Sequence, residues 1–168
     1  SPRLAPFPVE LVQGTHLILD GQLQQGCYYL ESPQDQRAIF ALPWKGHILL
    51  GTTETTYRGA PESSTPLVSE EDYLLQCFRH YFPHHNISVL SRFAGLRVLP
   101  TGGSNIFRRS RENHLQCDHP IRPRMISMYG GKLTTSRATA QKVMRLIKPS
   151  LPIRGVKADI SQLPLAPL

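Results

Sequence analysis

The sequence contains no run of residues long and apolar enough to cross a bilayer as a helix, and no signal-peptide pattern opens it. It has no CxxC pair. Its three cysteines, Cys27, Cys77 and Cys117, are widely separated and odd in number. That pattern argues against a disulfide framework or a zinc site and fits reduced cytosolic thiols. No HExxH, no Ser-His-Asp order and no paired-carboxylate constellation stands out, which removes the commonest hydrolytic chemistries. No G-x-G-x-x-G occurs, so the usual glycine fingerprint for a dinucleotide pyrophosphate is missing. There is also no internal repeat and no low-complexity segment.

What is present describes an ordinary globular chain: 168 residues, 40% hydrophobic and 18% charged, enough for one core. Fifteen prolines and twelve glycines favour short strands and frequent turns over long helices. Nineteen Lys and Arg against twelve Asp and Glu give a net charge of +7. Such an excess suits nucleic acid, an anionic membrane surface or a small anionic ligand. The basic cluster at 108–111 is short, and the aromatics are not interleaved with basic residues as stacking platforms would be, which argues against nucleic acid. The proline-rich start and the end at 163–168 lack structural closure, and the expectation is a piece of a larger protein.

Taken in order, strands are expected at 14–20, 27–31, 36–44 and 47–53, the last two joined by a tight turn at Lys45-Gly46. Their close spacing predicts an antiparallel meander with one face on a core. After a polar loop at 59–66, Ser69 is expected to cap a helix over 69–82, with Asp72 at the third position. Leu74, Phe78, Tyr81 and Phe82 fall on one side with Cys77 beside them, a packing stripe that Pro83 ends. A strand at 89–100, a glycine loop at 101–105 and an arginine-dense strand at 106–115 follow. A proline-punctuated turn at 118–123 then leads to an apolar run, 125–129, expected to be a buried strand. The last element expected is a helix over 132–148, with Leu133, Ala140, Val143, Met144 and Ile147 facing inward.

The most informative stretch is the turn between those last two elements, Gly130-Gly131-Lys132-Leu133-Thr134-Thr135. Two glycines let the backbone approach a ligand closely, because no Cβ stands in the way. The first helical amides point outward and carry the positive end of the helix dipole, so an anion or electron-rich ring is well placed there. Lys132 adds a full charge, and Thr134 and Thr135 add hydroxyls. A plain glycine turn with a threonine cap accounts for the same spacing equally well. A nucleotide P-loop is excluded, since Leu133 follows Lys132 and the upstream glycine is missing.

Other residues could carry chemistry. Arg97, between Leu96 and Val98, lies either at an exposed edge or against an anion, because an unpaired buried guanidinium is too costly to keep. Arg109 and Arg111 share one strand face and Arg108 the other; a forked pair suits a phosphate, and a solvated basic strand would look the same. His16, mid-strand, can serve as a general base near neutral pH or be a satisfied structural histidine. His84 and His85 lack carboxylate or cysteine partners at ligand spacing and read as surface residues. Gly51-Thr52-Thr53-Glu54 either lines a pocket or simply ends a strand.

Seven segments bear a common resemblance: 14–18, 39–44, 50–53, 57–59, 69–75, 95–99 and 130–135. In this order and with similar spacing they resemble the FAD-dependent glycerol-3-phosphate dehydrogenases, which belong to the D-amino acid oxidase-like flavoproteins. The family wording at the glycine turn is Gly-Gly-Lys-Leu-Thr-Thr-Tyr-Arg, and Ser136 stands here in place of the Tyr. The resemblance implies an α+β fold, with an antiparallel substrate-binding sheet flanked by helices over 1–124. The last strand and helix of a discontinuous FAD domain would occupy 125–150, and a linker or tail 151–168. It implies oxidation of sn-glycerol 3-phosphate to dihydroxyacetone phosphate, with hydride passing to flavin and electrons onward to a quinone. The parent would be cytoplasmic and peripheral on the cytoplasmic membrane.

By the same resemblance, Arg97, Arg111 and Lys132 would bind the substrate phosphate, with His16 and Arg97 as the catalytic pair. His16 would take the hydroxyl proton. Gly130, Gly131, Lys132, Leu133 and Thr134 would lie along the flavin. In the family, the arginine matched by Arg111 is followed by an acidic residue and then an aromatic or His. Here Glu112 fits and Asn113 does not, so the choice between Arg109 and Arg111 stays open. The N-terminal βαβ unit and the C-terminal helical domain of the family are missing, so the piece alone is expected neither to retain FAD nor to turn over. Two alternatives remain. One is an amine or amino-acid oxidase of the same superfamily, where a single arginine generally suffices for a carboxylate. The other is a non-enzymatic basic anion-binding module. The oligomeric state is left open.

Overall fold

The fold is built on β1 (Val9–Leu19), which carries neighbouring strands on both of its sides. A computed structural model describes residues 4–101, 113–153 and 155 of the chain. Along one side β1 pairs antiparallel with β6 (Val89–Pro100), from Val9 opposite Pro100 to Leu19 opposite Val89. Along the other, residues 16–19 pair with β4 (His47–Gly51) and residues 11–13 with β5 (Thr55–Tyr57). β2 (Tyr28–Glu31) and β3 (Ala38–Trp44) extend the sheet outward from β4. The six-stranded sheet therefore runs β2-β3-β4-β1, with β5 beside the start of β1 and β6 beyond it.

The expected simple meander is not followed, since β1 pairs with β4 and not with β2. Register gives the reason. Leu17 lies opposite Leu50 and Leu19 opposite Ile48, and all four are fully buried on one face. Joining these strands puts the most apolar positions at the centre and leaves β2, with Tyr29 and Glu31 exposed, at the edge. The turn at Lys45-Gly46 is as expected, with both residues at positive φ (49° and 82°), the conformation a tight hairpin requires.

α1 (Val68–Tyr81) covers the apolar face, burying Leu74, Leu75, Cys77 and Phe78 against Leu17, Leu19, Ile39, Ile48 and Leu50. Tyr81 departs from the expected stripe: it is 43% exposed, and its hydroxyl donates to the Glu31 carbonyl at 2.6 Å. Ser69 is not the cap. The helix starts one residue earlier, after Leu67, whose N–H donates to the Glu70 carboxylate at 3.2 Å. A carboxylate at the third helical position supplies the acceptor that Leu67 lacks. At the other end the Phe82 N–H still bonds the Phe78 carbonyl at 2.9 Å, and Pro83, which has no N–H, stops the helix.

β7 (His114–Cys117) and β8 (Ile126–Tyr129) form a separate hairpin. Asp118 closes its loop by accepting the Arg124 and Met125 amides at 2.9 and 3.0 Å, and these bonds hold its carboxyl below the usual range. Phe7 stacks on His114 with 3.9 Å between ring centroids and ties the hairpin to the start of β1. The arginine-dense strand expected at 106–115 falls mostly on 102–112, outside the described residues. β8 is not the buried strand expected, since Met128 is 56% exposed. α2 (Ser136–Ile147) follows a short 3-10 turn, Leu133–Thr135, and so begins later than expected: Gly131 is left-handed and Lys132 extended. Its inward stripe is also largely overturned. Val143 and Ile147 are half-buried, but Leu133 is 91% and Met144 54% exposed, and Ala140 is exposed too. An apolar helix face is covered only where a partner surface exists.

Candidate active site

Strand alternation sends Gly14 and His16 of β1, and Phe93, Gly95 and Arg97 of β6, to the sheet face opposite α1. Gly14 lies opposite Gly95 and His16 opposite Phe93. The half-buried Arg97 side chain runs back over Gly14, where a Cβ would stand 2.6 Å from Nη1 and 2.8 Å from Nη2. Only glycine leaves the guanidinium that space. Nη2 donates to Thr52 Oγ1 at 3.2 Å and Nη1 to the Thr53 carbonyl at 3.3 Å. Glu54 Oε1 stands 3.9 Å from Nη1, and Glu54 pairs as well with Arg37 at 3.4 Å.

These acceptors are delivered by the topology. Thr52, Thr53 and Glu54 form the link between β4 and β5, at the point where β1 exchanges one partner for the other. The link is stitched to β1 there: the Thr15 N–H donates to Thr53 Oγ1 at 2.8 Å, and the Thr53 N–H to the Thr15 carbonyl at 3.4 Å.

His16 packs between Gly51 and Phe93. Its ring is stacked on Phe93 with 5.2 Å between centroids, and a Cβ on Gly51 would meet its Cγ at 2.8 Å and its Nε2 at 2.9 Å. Burial, and then the Arg97 charge, lower the His16 pKa. The imidazole is therefore neutral at pH 7 and able to accept a proton.

A cleft of about 710 Å³ opens between the β6 edge and the glycine turn, lined among others by Arg97, Leu99, Tyr129, Gly130, Gly131 and Lys132. Gly130 and Gly131 take φ of 71° and 97°, and the Asn113 side chain lies against Gly131 where any Cβ would go. Asn113 also donates to Thr139, the buried residue of α2, so it joins the turn to the helix. Leu133 and Thr134 are exposed beside the cleft. The threonine cap is not formed: Thr135 Oγ1 donates to the Lys132 carbonyl at 2.9 Å, and no side chain caps α2.

Of the sequence-predicted residues, then, Arg97, Lys132, Gly130 and Gly131 share one cleft. His16 and the 52–54 link do not line it and reach it through Arg97, the member common to both groups. Arg111, with Arg108 and Arg109, lies outside the described residues.

Sequence reasoning missed Glu70. It is 4% exposed and accepts from Gln13 Nε2 (2.8 Å), Thr15 Oγ1 (2.7 Å), Thr53 Oγ1 (2.9 Å), Thr55 Oγ1 (2.8 Å) and the Leu67 amide. Burial alone would raise its pKa, but the hydrogen bonds from Thr15, Thr55, Gln13 and Leu67 outweigh it and leave the carboxyl below its ordinary value. A signal was available in β1: Gln13 and Thr15 occupy the same alternate face as Leu17 and so demanded a buried acceptor.

The fold agrees with the comparisons. Residues 1–146 match the family model described as FAD dependent oxidoreductase, and the chain belongs to that family. It is 32% identical over 151 residues to D-erythritol 1-phosphate dehydrogenase of Brucella abortus, covering 88% of this chain and 30% of the relative. It is 31% identical over 152 residues to aerobic glycerol-3-phosphate dehydrogenase of Bacillus subtilis, covering 86% of this chain and 26% of the relative. Among solved structures, glycerol-3-phosphate dehydrogenase from Bacillus halodurans, complexed with FAD, superposes with a TM-score of 0.66 at 30% identity. That match covers 83% of this chain and 26% of the other. The chain thus spans between 26% and 30% of the length of these relatives.

Proposed function

We propose that this chain supplies the substrate-binding portion of an FAD-dependent dehydrogenase that oxidises sn-glycerol 3-phosphate to dihydroxyacetone phosphate. The observation that carries the reading is Arg97, held between a cleft it shares with Lys132 and a neutral His16 whose pKa its charge helps to lower. Two cations on one cleft suit a dianionic phosphate better than the single carboxylate of an amino acid. Arg97 and Lys132 hold the phosphate and so fix where the carbinol falls. His16 lies on the same sheet face as Arg97, stacked on Phe93; a substrate that runs from the phosphate across Arg97 brings its hydroxyl to the neutral imidazole, which takes the proton as the C2–H bond breaks. Bound flavin supplies the acceptor for the two electrons of that C–H bond. The residues present fit one edge of such a ring: bare backbone at Gly130 and Gly131, with Lys132, exposed Leu133 and Thr134 alongside.

In this reading residues 1–124 are the substrate-binding part and 125–150 close a discontinuous FAD domain, with 151–168 as a linker. The electrons pass on to a quinone, and the whole protein works at the cytoplasmic face of a membrane. The likeness to a D-erythritol 1-phosphate dehydrogenase favours a second substrate of the same class, a longer polyol phosphate. The test is anaerobic spectroscopy of the FAD-loaded full-length protein. Bleaching of the flavin by glycerol 3-phosphate, but not by glycerol or amino acids, is the expected outcome. Bleaching by erythritol 1-phosphate alone moves the substrate along the class, and a flavin indifferent to both overturns the reading. Arg97→Ala is expected to abolish the response to phosphate esters, and a variant that kept its affinity would refute the phosphate assignment.

A further inference from the structure

We propose that Glu70, buried on the α1 side of the sheet, is a positioning residue that sets the Arg97 guanidinium on the opposite side, acting through Thr53. The inference rests on the reading of Arg97 as a phosphate-binding group.

Glu70 takes more donors than capping a helix requires. The Leu67 amide alone would complete the start of α1, and Leu74 and Phe78 already seat the helix on the sheet. The four remaining donors are the side chains of Gln13, Thr15, Thr53 and Thr55, all from the segments that border the site. In β1, alternation makes the neighbours of these donors the site residues: Gly14 lies between Gln13 and Thr15, and His16 follows Thr15. Whatever fixes the donors on one side of the strand fixes Gly14 and His16 on the other.

Thr53 is the direct connection. Its hydroxyl donates to Glu70 Oε1 at 2.9 Å, while its own carbonyl accepts Arg97 Nη1 at 3.3 Å. An ionised carboxylate is the side chain suited to this place, because its two oxygens offer about four lone-pair sites and no proton that would oppose a donor. Glutamine has the same shape but turns one of those atoms into a donor aimed at donors. The link matters because Arg97 has a competing anion, Glu54, already 3.9 Å away. A 52–54 segment released from Glu70 would let the guanidinium close on that carboxylate and leave the cleft.

The experiment uses the FAD-loaded full-length protein with labelled arginine, following the Arg97 Nε–H resonance, which Arg97→Lys identifies by its loss. Its exchange with water reports how firmly the guanidinium is held, and its shift on adding glycerol 3-phosphate or inorganic phosphate reports anion binding. Thr53→Val removes the hydroxyl at nearly constant volume, Thr53→Ser keeps it, and Glu70→Gln removes the charge. The expectation is that Arg97 exchange rises at least tenfold in Thr53→Val and in Glu70→Gln and stays at the parent rate in Thr53→Ser. Thr53→Val also removes the acceptor of the Thr15 N–H, so should Glu70→Gln fail to fold, Glu70→Asp, which keeps the charge but draws it back from Thr53, takes its place and is expected to raise exchange likewise; parent-like exchange in it overturns the proposal. Parent-like exchange in a folded Thr53→Val, or equal acceleration in Thr53→Ser, overturns the proposal and leaves Glu70 a structural residue. A parent resonance that ignores both anions refutes the phosphate reading alone, while the exchange comparison still decides on Glu70.

Discussion

Two glycines in β-strands are explained at this site by what lies over them. Gly14 carries the Arg97 guanidinium and Gly51 the His16 ring, so a methyl group at either position strikes one of these candidate side chains. The two substitutions should differ. The guanidinium is the far end of a long side chain and can swing away, while Thr52 Oγ1, 2.6 Å from the same point, must shift as well. Under the proposed reading, Gly14→Ala is therefore expected to weaken glycerol 3-phosphate binding tenfold or more, about 1.4 kcal/mol, with a smaller loss of melting temperature. The imidazole is wedged against Phe93 and has no such freedom. Gly51→Ala should therefore lower both turnover and stability, the latter by roughly 1–3 kcal/mol as in other overpacked sites. Titration by calorimetry alongside thermal melts separates the two. Arg97 was legible as a candidate from a charge set between Leu96 and Val98, and His16 from an imidazole in mid-strand. The two glycines were legible only as strand punctuation, because nothing in sequence says which side chain crosses which strand.

At the scale of the element, α1 couples stability to pH. The Glu70 carboxyl is lowered in the folded chain, so it binds fewer protons there than when unfolded. Its contribution is present above the ordinary glutamate range and is lost as pH falls through that range toward the folded value. His16 is lowered too, but for a base this means the folded state resists protonation, so stability begins to fall as pH drops below the ordinary imidazole value. Two steps are expected on acidification, read by urea unfolding at a series of pH values. His16→Asn removes the first and Glu70→Gln the second. Glu70→Gln is also expected to cost about 2–4 kcal/mol at pH 7, since bonds to a charged acceptor are lost and donors are left opposed. The helix itself was foreseen from its apolar spacing. Its cap was misplaced because Ser69 and Asp72 match the local pattern, whereas Glu70 is chosen by donors more than fifty residues away in sequence, such as Gln13 and Thr15.

Across the whole molecule, order is divided unequally. α1 and β1 share a fully buried cluster, while α2 buries Thr139 and leaves Met144 and Leu133 exposed. Amide exchange in α2 is therefore expected to be at least a hundredfold faster than in α1 and β1, where only global unfolding gives access. Uniform protection across both helices would show that the α2 face is covered in solution.

The sequence by itself determined the local elements: strands where β-rich segments end at turn residues, a tight hairpin at Lys45-Gly46, a helix ended by Pro83, and a glycine turn before α2. Each follows from neighbours a few residues apart. Only the tertiary structure decided that β1 pairs with β4, that the 52–54 link crosses beside Gly14, and that Glu70 and Arg97 meet through Thr53 from opposite faces of one sheet. The physical reason is that propensity and periodicity act over one or two turns of chain. Strand order is chosen by which apolar faces can be buried together, and the site is assembled from residues that this choice makes neighbours.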